Sequence, residues 1–265
     1  METARAILRR DWAIERTYPL RLLLVMLGTA TFAAGLFFVG KLVIDPPALD
    51  NYSGGYFDFV IVGLAVTSFA AVGLQCFSGS LMSEQSTGTI DLLLASPASR
   101  SSLLGGMFLL PFLLAAAEFL ALLVFGVGVI GSGLPIGGLI MSIPVVLLTT
   151  APCAAIGIAT GGVLLIAKRG DPVSGPIMQL TMLLSGTVYP VAVLPAPLRA
   201  ISWCLPATWG VHATRELLLG GAGWRDVLPA VGVLLAFVVV MVPLALLAFR
   251  SCVGTARRHG LLGSY

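Results

Sequence analysis

Ser83-Glu-Gln-Ser-Thr-Gly-Thr-Ile-Asp-Leu-Leu-Leu-Ala-Ser-Pro-Ala-Ser-Arg100 is a polar island in an apolar chain. On either side lie apolar runs long enough to cross a bilayer, which takes about 20 residues. The island therefore reads as a connection between two spans, and the chain as a bundle of membrane helices. Within it Gly88 permits a sharp turn, and Pro97 closes the short segment after that turn. Ile90, Leu93 and Leu94 stand at i, i+3 and i+4, which is one apolar stripe on a short helix. Two readings fit that pattern: a docking knob for a soluble partner, or a solvated loop whose leucines lie on the lipid surface.

Composition points the same way. The 265 residues are 58% hydrophobic and only 10% charged, with a mean hydropathy of +1.02. A soluble domain carries about 25% charged residues. Residues 1–265 thus form a single membrane domain with no separate soluble unit. The expected fold class is all-α and polytopic. The four cysteines (Cys76, Cys153, Cys204, Cys252) lack metal-ligand spacing and do not suggest a disulfide framework. No metal site is expected. Arg5, Arg9, Arg10 and Arg16 are spread through a polar N-terminal segment, unlike a signal peptide.

Outward from the island, six spans are expected, at about 22–44, 57–80, 103–130, 136–167, 176–194 and 228–249. Before them, residues 3–18 read as a helix along the membrane surface. Arg5, Arg9 and Arg16 share one face, and Ile7, Leu8, Trp12, Ile14 and Tyr18 spread over the other half. Asp11 and Glu15 fall inside that apolar arc, where they would face protein or a water-filled seam, or else snorkel to the headgroups. Pro144 and Pro152 predict a kink or tilt in the fourth span, where Gly157 and Gly161 suit close helix packing.

Residues 191–226 are neither span nor ordinary loop. Pro195 and Pro197 permit a helix start, with Leu198, Ile201 and Leu205 on one face until Pro206. Thr208 is positioned to cap a second short helix that ends at Gly220-Gly221. Trp203, Trp209 and Trp224 suit a membrane interface. The section reads as two short half-immersed helices, a re-entrant hairpin able to close the top of a pathway, or as a tryptophan-belted loop. With six spans, Lys41, Arg199, Arg215 and Arg225 fall on one side and the other eleven Lys and Arg residues on the opposite side. That bias places both termini and the island in the cytoplasm.

Two stretches together resemble the ABC type-2 permease family. One is Glu84-Gln-Ser-Thr-Gly88-Thr89-Ile-Asp91-Leu-Leu93-Leu-Ala-Ser-Pro97. The other runs Ser185-Gly186-Thr-Val-Tyr-Pro190, then Leu194-Pro195, Leu198, Ile201, Leu205-Pro206, Trp209, Arg215 and Gly220. Gln85 departs from the family pattern, which places Arg or Lys there. The resemblance implies that Glu84, Gly88, Thr89, Asp91, Leu93 and Leu94 belong to a coupling helix that docks on a separate ATP-binding subunit. It further implies a homodimer of permeases in a bacterial inner membrane, exporting a drug, antibiotic or lipid-like compound by alternating access. ATP and Mg would be held by the partner, since this chain has no Gly-x4-Gly-Lys-Ser/Thr loop. Pro195, Trp209 and Arg215 would belong to the outer hairpin.

Glu118 is the acidic residue deepest in an expected span, read as a substrate or proton contact or as a structural hydrogen bond. Gln179, Thr181, Ser185 and Tyr189 place polar groups along the fifth span, to line a pathway or to bond across helices. Enzyme chemistry finds little footing. Neither His212 nor His259 is placed to activate Ser185, and no Gly-x-Ser-x-Gly or His-Glu-x-x-His motif occurs. The alternatives to a drug exporter are a permease for a lipid or lipid-linked polysaccharide, and a membrane scaffold or immunity protein without transport.

Overall fold

The structure is a computed structural model and describes residues 2–17, 19–42, 55–87, 100–125, 135–167 and 173–258. Its elements, in order, are α1 (Glu2–Thr17), α2 (Pro19–Leu42), α3 (Tyr56–Ser86), α4 (Arg100–Phe125), α5 (Ile136–Ala167) and α6 (Ser174–Leu184). A 3-10 turn (Val191–Val193), α7 (Ala196–Trp203), α8 (Pro206–Leu218) and α9 (Trp224–Arg258) complete the chain. Among the described residues all regular structure is helical. Among the described residues, four helices are long and apolar enough to cross a membrane, within α3, α4, α5 and α9. In α2 the described apolar run is Ala30–Lys41.

The bundle is built around α3. Its spanning stretch is 72% buried, against 17% for α9, which presents Val239, Val240, Leu244 and Leu247 to the surroundings. Phe59, Ile61, Val62 and Phe69 of α3 meet Ala115 and Phe119 of α4 in one half of the core. Phe77 and Leu81 meet Met107, Leu164 and Phe249 in the other half. α3 and α5 cross almost backbone to backbone. A Cβ on Gly157 would overlap the Gly73 carbonyl, and one on Gly73 would lie 2.8 Å from the Ala154 nitrogen. The expected packing role of Gly157 and Gly161 is therefore met: Gly161 faces Phe77 and Leu81 of the same helix.

The α3 helix overruns its expected end by two turns. Ser86 Oγ donates to Ser83 O at 2.8 Å and Thr87 Oγ1 to Ser83 O at 3.0 Å. The hydroxyls satisfy themselves on their own helix, so polar composition alone does not stop it. The rest of the island, residues 88–99, lies outside the described residues. α5 matches its expected bounds and runs unbroken through Pro144 and Pro152.

The fifth span is corrected. Instead of a helix over 176–194, α6 covers eleven residues, Ser174–Leu184. At about 1.5 Å per residue that is some 16 Å, roughly half of a ~30 Å hydrocarbon core. Gly186 then turns the chain with φ +75°, a region in which a side chain would be strained. Apolar composition continued through Val188 to Val193, but the conformation allowed to Gly186 ended the helix.

The two short helices after it are present, with one change of capping. Pro206 occupies the first turn of α8 after an extended Leu205, and Thr208 lies inside the helix rather than at its cap. Its hydroxyl donates instead to Ser202 O at 2.6 Å. The far end closes through Gly221, φ +63°, with Gly220 N donating to Arg215 O at 3.1 Å.

Candidate functional site

Chemistry-bearing residues gather at the two ends of α3. From Phe59 to Glu84 that helix rises about 37 Å, more than the thickness of a hydrocarbon core.

At one end, α1 docks on α4 by inserting Ile7 over Gly106, where a Cβ would come within 2.8 Å of Ile7 Cδ1. This seat turns Arg10 toward α3. Its Nη1 pairs with Glu84 Oε1 at 2.7 Å, and its Nε donates to Asp11 Oδ1 at 2.9 Å. Glu84 is 7% exposed. Burial would lower the Arg10 pKa, but Asp11 and Glu84 outweigh it and hold the guanidinium above its usual value. Of the acidic pair expected to face protein or a water-filled seam, Asp11 lines a hollow of about 310 Å³ with Ser83, Glu84 and Pro111, and the Glu15 side chain lies outside those described. Trp12, expected in the apolar arc, is 56% exposed. Arg10 had a sequence signal: at 100° per residue it stands off the face shared by Arg5, Arg9 and Arg16. Of the expected docking residues, Glu84 is described and bonded inward to α1. Gly88, Thr89, Asp91, Leu93 and Leu94 lie outside the described residues.

At the other end, Arg215 of α8 is 3% exposed in the core. Its Nε donates to Phe59 O at 3.0 Å, Nη1 to Gly186 O at 2.7 Å and Nη2 to Thr187 O at 2.7 Å. The guanidinium also stacks on the Phe59 ring, 3.4 Å from its centroid. A buried charge is costly unless it is matched by acceptors, and here the Gly186 and Thr187 carbonyls lie just past the C-terminal, electronegative end of α6, with the Phe59 carbonyl on α3. Arg215 therefore joins α8, the turn after α6 and the start of α3. Gly63 makes room for it: a Cβ there would overlap both Arg215 Nη2 and Thr187 O.

The hairpin is braced further. Ser202 Oγ donates to Leu184 O, a carbonyl left open at the α6 terminus. Arg199 bonds Ala192 O at 2.8 Å and Leu194 O at 3.1 Å. Trp209 Nε1 donates to Trp203 O at 2.8 Å, with the two rings 4.7 Å apart. Pro195 is the residue before α7 and receives Arg199 N at 2.9 Å. Burial lowers the His212 pKa, Glu216 opposes and Arg215 adds to it, and the ring packs edge-on to Trp203.

The four polar residues expected along the fifth span do not share one surface. Gln179 is exposed, whereas Thr181 and Ser185 are buried. Ser185 Oγ and Thr187 Oγ1 are 2.7 Å apart, and Tyr189 donates to Leu183 O. Glu118 is half-buried and lines a second hollow of about 360 Å³ between α3, α4 and α6. Among the described residues no group of His, Cys, Asp or Glu is placed to hold a metal ion.

A bundle of long apolar helices with a braced hairpin at one end defines an integral membrane protein. Residues 41–247 match the family model described as ABC-2 family transporter protein, and the chain belongs to that family. It is similar to ABC transporter G family member 20 of Dictyostelium discoideum, 29% identical over 213 residues. That alignment covers 77% of this chain and 28% of the relative, so the chain spans under a third of the relative's length.

Proposed function

We propose that this chain is the permease subunit of an ABC exporter, driven by a separate ATP-binding subunit that seats on residues 83–97. The observation that carries the reading is α3 itself. It is one unbroken 31-residue helix whose last turns open directly into the polar island and whose first turns hold Arg215. A displacement at the island therefore reaches the outer hairpin through a rigid rod, with α1 tied to the driven end by Arg10. The permease works as a homodimer in a plasma membrane with its termini in the cytoplasm, and its cargo is a hydrophobic or amphipathic compound. ATP and Mg stay on the partner. The chemistry is conformational rather than catalytic.

In membrane vesicles containing the cognate ATPase, Gly88→Pro or Asp91→Arg abolishes dye export while leaving ATP hydrolysis and membrane insertion intact. Unchanged export by both variants at equal expression rejects the docking role.

The inner pair gives a second test. Arg10→Glu and Glu84→Arg singly lower export per ATP hydrolysed several-fold, because each places like charges in contact. The exchanged double variant recovers most of the loss. No recovery means that the ion pair does not carry the coupling.

A further inference from the structure

The face that α1 turns away from the bundle carries different residues from the face that docks. Ile7 seats over Gly106 of α4, and Arg10 pairs with Glu84 of α3. At 100° per residue, Arg9, Trp12, Ala13 and Arg16 fall within an arc of about 100° on the side away from Ile7. All four are exposed. Between Arg9 and Arg16 no acidic residue falls in that arc. Among the described residues neither Arg9 nor Arg16 pairs with a carboxylate, whereas Arg10 is held by Asp11 and Glu84. Two arginines and a tryptophan therefore stand together on an open surface.

The contacts of α1 also fix its depth. The apolar stretch of α3 ends at Glu84, and that of α4 begins at Gly105. Through Arg10 and Ile7, α1 touches each of these spans at its boundary. One turn beyond Arg16, α2 presents Leu20, Leu23, Leu24 and Leu27 outward, each more than half exposed. Their i, i+3, i+4, i+7 spacing makes one apolar helix side, which suits contact with lipid. Arg9, Trp12 and Arg16 thus lie at the edge of the hydrocarbon, at the level of the headgroups. An indole at that level has an apolar body for the chains and an N–H for the polar layer. A guanidinium there matches a pair of phosphate oxygens through two parallel N–H bonds.

We propose that the outward face of α1 binds the headgroups of anionic phospholipids in the adjoining leaflet, with Arg9 and Arg16 on phosphates and Trp12 setting the depth. Charge complementarity selects this occupant. A zwitterionic headgroup offsets its phosphate with its own ammonium, so arginines that meet no carboxylate favour a lipid of net negative charge. Each arginine near an anionic surface is worth about fivefold in binding, and the pair about thirtyfold. The proposal concerns α1 and the membrane alone, and it stands beside the exporter reading rather than on it.

The test uses the full chain in nanodiscs without any ATPase. Phosphatidylglycerol or phosphatidylcholine, brominated in the upper acyl chain, is diluted into plain phosphatidylcholine. The Trp12 signal is the difference in fluorescence quenching between wild type and Trp12→Phe. Half-maximal quenching of Trp12 needs about thirtyfold less brominated phosphatidylglycerol than brominated phosphatidylcholine. Arg9→Gln/Arg16→Gln brings the two lipids within about twofold, Arg9→Lys/Arg16→Lys keeps most of the preference, and high salt reduces it. Arg225→Gln/Arg250→Gln, which removes the same charge from exposed positions of α9, leaves it unchanged. All variants are compared at matched melting temperature. Equal quenching by the two lipids, or a preference that survives Arg9→Gln/Arg16→Gln, overturns the proposal. Quenching by neither lipid does the same, because the face is then covered by protein. Displacement of the anionic lipid by inorganic phosphate also overturns it, by making a free anion the ligand. Export, measured separately with the cognate ATPase, is untouched by any of these outcomes.

Discussion

Gly63→Ala disconnects the outer hairpin from α3 and abolishes export, although it adds only one methyl group. That methyl takes the space of the Arg215 guanidinium and of the Thr187 carbonyl. Either the arginine leaves its seat or the turn after α6 moves. Removing the arginine itself gives the same outcome by another route. Arg215→Ala leaves the carbonyls of Phe59, Gly186 and Thr187 without the donor they share. Each charge-assisted bond is worth about 1.5–3 kcal/mol, and truncating a buried charged partner costs on the order of 3–5 kcal/mol in all. Arg215→Lys recovers part of this, because a single ammonium keeps the charge but cannot span carbonyls on two segments. Thermal melts followed by tryptophan fluorescence read the effect locally, since Trp203 and Trp209 sit in the hairpin. The double variant Gly63→Ala/Arg215→Ala is less destabilised than the sum of the singles, because both break the same connection. Simple additivity, or a Gly63→Ala melt equal to wild type, contradicts the latch.

Two glycines one helical turn apart on α5 are expected to behave very differently when changed to alanine. At Gly157 the new Cβ overlaps the Gly73 carbonyl and stands 3.0 Å from Leu74 O, so backbone must yield to backbone. Overpacking of that kind costs about 1–3 kcal/mol, and here falls at the upper end because neither helix has a side chain to rotate away. At Gly161 the nearest atom is Leu81 Cδ1 at 3.2 Å, the tip of a flexible side chain, and the cost stays below about 1 kcal/mol. Folded monodisperse yield and melting temperature in mild detergent separate the two. Equal losses at both positions mean that α3 and α5 do not cross as closely as described.

The packing glycines and the buried arginine differ in legibility for a physical reason. Gly157 and Gly161 have the four-residue spacing of a packing motif, which any helix-period reading detects. Arg215 was readable as part of a short outer helix but not as a core residue, because its acceptors are backbone carbonyls 28 to 156 residues away. Carbonyls carry no residue signature. The Arg10–Glu84 pair left a faint trace in the face on which Arg10 falls, whereas its partner became identifiable only once α3 was seen to continue past Ser80. The fifth span misled because hydropathy persists beyond Leu184, and hydropathy does not register that the backbone turns through a positive φ at Gly186.

Composition and periodicity determined by themselves that the chain is a membrane bundle, approximately where its long helices run, and that a polar island and a two-helix outer section interrupt them. These properties are local: every backbone group in lipid must be satisfied within its own helix, so length and apolarity are written segment by segment. Tertiary structure alone decided that α6 stops halfway, that Arg215 is buried in the core at one end of α3, and that Arg10 pairs with Glu84 at the other. Those depend on which carbonyls, glycines and carboxylates meet across helices, and such meetings leave no period in the sequence.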